Sequence, residues 1–177
     1  MVYTNDNIKK ICNFYVSDWH LTTTILPYIN SKIDEKTKVI TILENNIEEN
    51  IKVLMEKLNL KNKNEILSIR WTSVDSKKYT DIENILNTEI TKNAENIILI
   101  SGNRNYIEII NSNINKWLEK ANLKSIKIID FFEVTEFNNN IVNILDGHDK
   151  ILNTSGEREI SEVFDGYQDF KNVANNN

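Results

Sequence analysis

Short apolar runs alternate along the chain with stretches whose apolar residues recur every three or four positions. Ile11-Cys12-Asn13-Phe14-Tyr15-Val16, Lys38-Val39-Ile40-Thr41-Ile42-Leu43, Asn96-Ile97-Ile98-Leu99-Ile100 and residues 125–132 are rich in β-branched and aromatic side chains, and each predicts a strand. Residues 65–71 predict another on the same grounds, and Lys150-Ile151-Leu152-Asn153 a short sixth. Helical periods lie between them. Leu21, Ile25, Leu26, Ile29 and Ile33 give residues 19–33 an apolar face, with Ser17 or Asp18 as cap. Pro27 inside that stretch predicts a kink or a break. Ile47, Ile51, Leu54, Met55 and Leu58 mark a second helix, capped by Asn45 or Asn46. Ile82, Ile85, Leu86 and Ile90 mark a third, opened by Thr80 with Glu83 as a capping box. Ile107, Ile110, Ile114, Trp117 and Leu118 mark a fourth. A short helix carries Ile141, Ile144 and Leu145 after Asn138-Asn139-Asn140.

Strands this continuously apolar must be covered on both faces, and their alternation with amphipathic helices is the pattern of repeated βαβ units. The fold class expected is α/β: a three-layer sandwich with a mainly parallel sheet of five or six strands. One α/β domain is expected over residues 1–156. Residues 157–177 read as a C-terminal tail, partly packed, ending in the frayed Asn175-Asn176-Asn177. Val163, Phe164, Tyr167 and Phe170 in that tail need an apolar surface to pack on, which a second copy of the chain could supply as a homodimer.

Composition adds four points. The 177 residues include 28 Ile and 29 Asn but only 3 Arg and 4 Gly. AT-rich codons account for that bias, so the Asn content is not read as disorder, and each Arg and Gly becomes more informative. The formal net charge of −5 disfavours a chain built to grip phosphate backbones, so no nucleic-acid partner is expected. No apolar run approaches the ~18 residues of a membrane span, and Asn5, Asp6, Lys9 and Lys10 crowd the start where a signal peptide would be apolar. The single Cys12 excludes an internal disulfide and a multi-cysteine metal site, and its apolar strand makes it a packing residue. These features predict a cytoplasmic protein without a membrane partner.

In an open parallel sheet, ligands bind beyond the carboxyl ends of the strands. Ser17, Asp18, Trp19 and His20 follow the first strand, and Glu44, Asn45 and Asn46 the second. Arg70 and Trp71 end the third, Ser101, Gly102, Asn103 and Arg104 follow the fourth, and Glu133 follows the fifth. Trp and Arg stack on ligands and fix carboxylates or phosphates. The ligand-binding set expected is therefore Asp18, Trp19, His20, Glu44, Trp71, Asn103 and Arg104. A phosphate cradle needs Gly-rich backbone and a Lys followed by Ser or Thr, and residues 17–24 contain neither Gly nor Lys. Ile128-Ile129-Asp130 ends like a Walker B strand but has no cradle to serve. His148, between Asp146 and Asp149, reads as a polar helix end. No catalytic residue, metal site or cofactor is expected.

Phe14-Tyr15 in the first strand, Leu26-Pro27-Tyr28-Ile29 in the first helix, Lys38-Val39-Ile40, Phe131-Phe132-Glu133, His148 and Ile151-Leu152 form a layout over residues 8–155 that resembles the MEDS sensory domain. The resemblance implies a RecA-like fold without a functional P-loop. It also implies a non-enzymatic sensory or regulatory module that binds a small molecule or a regulatory protein in trans. A second resemblance sets the alternative. Asp18-Trp19-His20 after an apolar strand resembles the first motif of calcineurin-like metallophosphoesterases, with Asn103 and His148 at its later positions. That resemblance implies a metal-activated water.

Overall fold

The apolar runs pair side by side because a strand covered on both faces can satisfy its backbone groups only through neighbouring strands. The computed structural model describes residues 7–121, 123, 125–134 and 141–164. Six strands form one sheet: β1 (Ile8–Tyr15), β2 (Thr37–Leu43), β3 (Glu95–Gly102), β4 (Ile126–Glu133), β5 (Lys150–Asn153) and β6 (Gly156–Glu159). Their order is β2-β3-β4-β1-β5-β6. The first five run parallel, and β6 returns antiparallel to β5. Helices α1 (Asp18–Lys32), α2 (Glu48–Lys57) and α3 (Lys63–Ser68) cover one face. Helices α4 (Tyr79–Glu89), α5 (Arg104–Leu118), α6 (Ile141–Asp146) and α7 (Ile160–Val163) cover the other. The chain is an α/β three-layer sandwich around a mostly parallel mixed sheet.

The period of two in the strands divides the core into two layers. Ile97, Leu99, Ile129 and Phe131 face the α1 layer. Ile98, Ile100, Ile126, Ile128 and Phe132 face the α5 layer. Cys12 is fully buried in that second layer, as its apolar strand required. Among the described residues no helix is long and apolar enough to cross a membrane.

The structure departs from the sequence pattern in several places. Residues 65–71 do not form a strand. Lys63–Ser68 is helical, and only Ile66 of that helix is buried, too little to hold a strand in a two-sided sheet. Residues 69–74 then run along the β2 edge, where Val74 N–H donates to Leu43 O at 2.8 Å and Leu43 bridges Ser73. This stretch carries the chain from the α3 face to the α4 face. Pro27 does not break α1, which runs through it. It lies on the exposed side together with Thr23, whose carbonyl loses its helical partner to proline but can bond water. The second cap is supplied by Asn46, whose Oδ1 accepts from Glu48 N–H at 2.9 Å. The third differs: Lys78 precedes its helix without a side-chain cap, so the Thr80–Glu83 box is not used. Finally, Asn153 Oδ1 accepts from Ser155 N–H at 2.9 Å and Gly156 takes φ +106°, closing a hairpin into β6. The domain boundary expected at 156/157 therefore falls inside a strand, and Ile160 and Phe164 pack on the α5-side core. Asn138-Asn139-Asn140, Tyr167, Phe170 and Asn175-Asn176-Asn177 lie outside the described residues.

Candidate functional site

Sheet topology selects one end of the molecule. β1 is followed by α1 on one face and leads away to β2, while β4 is followed by α6 on the other face and leads to β5. Adjacent strands whose connections leave in opposite directions open a crevice at their carboxyl ends. The β1–α1 turn borders that crevice. Its geometry follows from a Ser cap: Ser17 Oγ accepts from His20 N–H at 3.2 Å, and Asp18 occupies the first helical turn, where the helix dipole favours a carboxylate. His20 Nδ1 accepts from Val16 N–H at 3.2 Å, leaving only Nε2 to meet a ligand. These bonds hold Val16 and Trp19 in place while both stand exposed, at 64% and 49%.

The ends of β2 and β3 form a second fixed element. Glu44 N–H donates to Ser101 O at 2.9 Å. The Glu44 carboxylate accepts from Asn103 N–H at 2.7 Å and from Asn103 Nδ2 at 2.9 Å. Asn103 is in turn the N-cap of α5, its Oδ1 accepting from Tyr106 N–H at 2.8 Å. Gly102 makes this clasp possible: a Cβ there would lie 2.5 Å from Glu44 Oε2 and 2.9 Å from Tyr106 Cδ1. Glu44 and Asn103 are thus brought into contact, each with a structural duty already in hand.

Tyr15 ties the two elements together. Its side chain hydrogen-bonds Ser101 across the end of β4. Burial pushes its phenol above the ordinary range, and the charges of Glu133, Asp18 and Glu44 push it further in the same direction. Three carboxylates therefore act on one hydroxyl at this rim.

One of the expected site residues, Trp71, does not reach the rim. Trp71 is 3% exposed, and its indole N–H donates to Ile66 O at 2.9 Å. It is a core residue of the α1 layer, because the segment expected to be a strand reaching the rim instead crosses the sheet edge. Its neighbour Arg70 bonds Glu89 at 2.9 Å and Thr41 O at 2.8 Å, again along the β2 edge. Arg104 does open α5 at the rim, but its Nε donates to Glu108 at 2.8 Å, one turn along the helix. Asp18, Trp19, His20, Glu44, Asn103 and Arg104 lie at the rim.

The metallophosphoesterase-like positions are separated by the fold. His148 is 7% exposed at its side chain and lies against β4 on the α5 face. Its Nδ1 is 2.6 Å from Ile144 O and its Nε2 2.7 Å from Asp130 Oδ2. Each ring nitrogen thus faces an oxygen, one of the backbone and one of a carboxyl group. Asp130 also accepts from Asn111 Nδ2 at 2.9 Å and pairs with Lys10 Nζ at 2.9 Å, and Lys10 Nζ bonds Asn111 Oδ1. Burial alone would raise the Asp130 carboxyl, but the His148 bond and the Lys10 charge outweigh it and hold the group below its ordinary range. Among the described residues no group of three or more His, Cys, Asp or Glu is arranged to hold a metal ion. Burial pushes the Cys12 thiol up to about 12, with the Asp130 charge adding to it, so no thiolate nucleophile is present there.

Sequence reasoning overlooked the Asp130–His148–Lys10–Asn111 network. Its only signal was an aspartate inside an apolar run, where an unpaired charge would be prohibitive. No protein-family model matches the sequence, and no curated protein and no solved structure matches it either.

Proposed function

We propose that this chain is a non-enzymatic sensory or regulatory module, of the kind the MEDS resemblance implies, that binds its ligand or partner at the carboxyl-end rim of the sheet. One observation carries the reading: a rigidly capped β1–α1 turn presents Val16 and Trp19 to solvent at the topological switch point. The rim side chains otherwise bond to one another, as Glu44 does to Asn103, and leave no nucleophile paired with a base.

Native mass spectrometry of the chain purified gently from its own cells tests the reading. The expected result is a bound species that is retained by the wild type and lost in Trp19→Ala and Asp18→Asn variants of unchanged stability. A bound species retained by both variants would overturn the site.

A further inference from the structure

We infer that the occupant of this rim is a protein partner, docked through a basic segment that carries an aliphatic or aromatic anchor. The inference rests on the rim being the binding surface and adds the chemistry of what binds there.

The first argument is charge. Tyr15 and Glu133 are register neighbours at the ends of β1 and β4, Asp18 begins α1 three residues after Tyr15, and Glu44 follows the end of β2. None of the three carboxylates has an ion-pair partner among the described residues. The cation nearest in sequence to this rim, Arg104, is already answered by Glu108. Among the described residues the rim therefore presents carboxylates that no cation answers, beside an exposed indole. A lysine or arginine head is the complement of both, through the carboxylates and through the face of Trp19.

The second argument is shape. A small molecule is held in a concave site that covers roughly 70–90% of its surface. Val16 and Trp19 instead protrude, with 64% and 49% of their surfaces in solvent. Only an occupant with an extended surface of its own can cover both. Nucleic acid has such a surface, but the sign of the charge repels it. A basic, apolar-anchored protein segment satisfies charge and shape together. Trp19 is then the central anchor, as aromatic residues at interface centres are, and Asp18 and Glu133 supply the selectivity for cationic side chains.

A phage-displayed random dodecapeptide library, panned on the immobilised full chain, tests this. Enriched sequences are expected to place Lys or Arg next to Leu, Ile, Met or an aromatic residue. A synthetic peptide of the enriched type should lose about thirtyfold in affinity with Trp19→Ala. It should lose about tenfold with the Asp18→Asn, Glu133→Gln pair, and weaken as salt screens the carboxylates. Glu119→Gln, an exposed carboxylate at the far end of α5, should leave binding unchanged. Enriched peptides that are neutral or acidic but still depend on Trp19 would overturn the basic partner and leave the rim as the binding surface. Peptides indifferent to Trp19→Ala, or no enrichment at all, would overturn both.

Discussion

Replacing Asp130 by alanine should be among the most damaging single changes in the chain. The carboxylate is 1% exposed and faces three donors: Asn111 Nδ2 at 2.9 Å, His148 Nε2 at 2.7 Å and Lys10 Nζ at 2.9 Å. Removing it leaves His148 Nε2, on a side chain 7% exposed, without its hydrogen-bond partner. Lys10 is less affected, because its side chain is 24% exposed and can turn to water. Removing one partner of a buried ion pair costs about 3–5 kcal/mol, chiefly for the charge left behind. For a chain of this size that corresponds to a fall in Tm of roughly 6–20 °C. Urea unfolding followed by circular dichroism reads the loss directly, provided the denaturant slope is unchanged. The Asp130→Ala, His148→Ala double variant should recover part of the cost, because the ring left without its partner goes as well; the coupling expected is roughly 1–3 kcal/mol. A single-variant loss below about 1 kcal/mol, or strict additivity in the cycle, would refute the reasoning and reduce the network to the energetic rank of a surface pair.

Three further outcomes are expected. Gly102→Ala places a methyl group against the Glu44 carboxylate and should cost roughly 1–3 kcal/mol, while Asn103→Ala should cost about 0.5–2 kcal/mol through the lost α5 cap; thermal unfolding checks both. Trp71→Ala should cost roughly 3–5 kcal/mol as a cavity in the α1 layer, yet leave rim binding intact in whatever fraction remains folded, as titration below the variant's Tm would show. Acid should destabilise the protein through Asp130 and Glu157. Burial would raise the Glu157 carboxyl, but bonds from Lys127 and Tyr28 hold it below its ordinary range, as the His148 bond and Lys10 do for Asp130. A carboxyl depressed in the folded state contributes stability above its unfolded pKa of about 4 and loses it as pH falls through the folded value. Stability should therefore be level above about pH 5 and drop below it, and Asp130→Asn should be less stable at pH 7 but flatter towards acid.

The layering of this fold was legible in the chain because isoleucine-rich strands with period two and helices with period near 3.6 leave different marks. Thr37–Leu43 and Glu95–Gly102 are found where the pattern placed them. Residues 65–71 misled because a short segment with β-branched residues carries both signals, and only its place at the sheet edge decides. That one error moved Trp71 from rim to core. β6 was missed because Gly156–Glu159 has almost no apolar residue to mark it; its signal lay in the Asn153-Thr154-Ser155-Gly156 turn. Within the candidate site, Ser17 and Asn103 were readable as caps, and the exposure of Trp19 follows from its position on the first turn of α1. The Asp130 network was not readable, because its members come from β1, β4, α5 and the end of α6, and only the folded chain assembles them.

The central claim is that the β1–α1 turn is the contact surface. A photo-crosslinking amino acid placed at position 19, and as a control at position 119 at the opposite end of α5, tests it in living cells. The account predicts a discrete adduct from position 19 only, whose crosslinked peptide is basic and carries an apolar anchor. No adduct at position 19, or the same adducts from both positions, would contradict it.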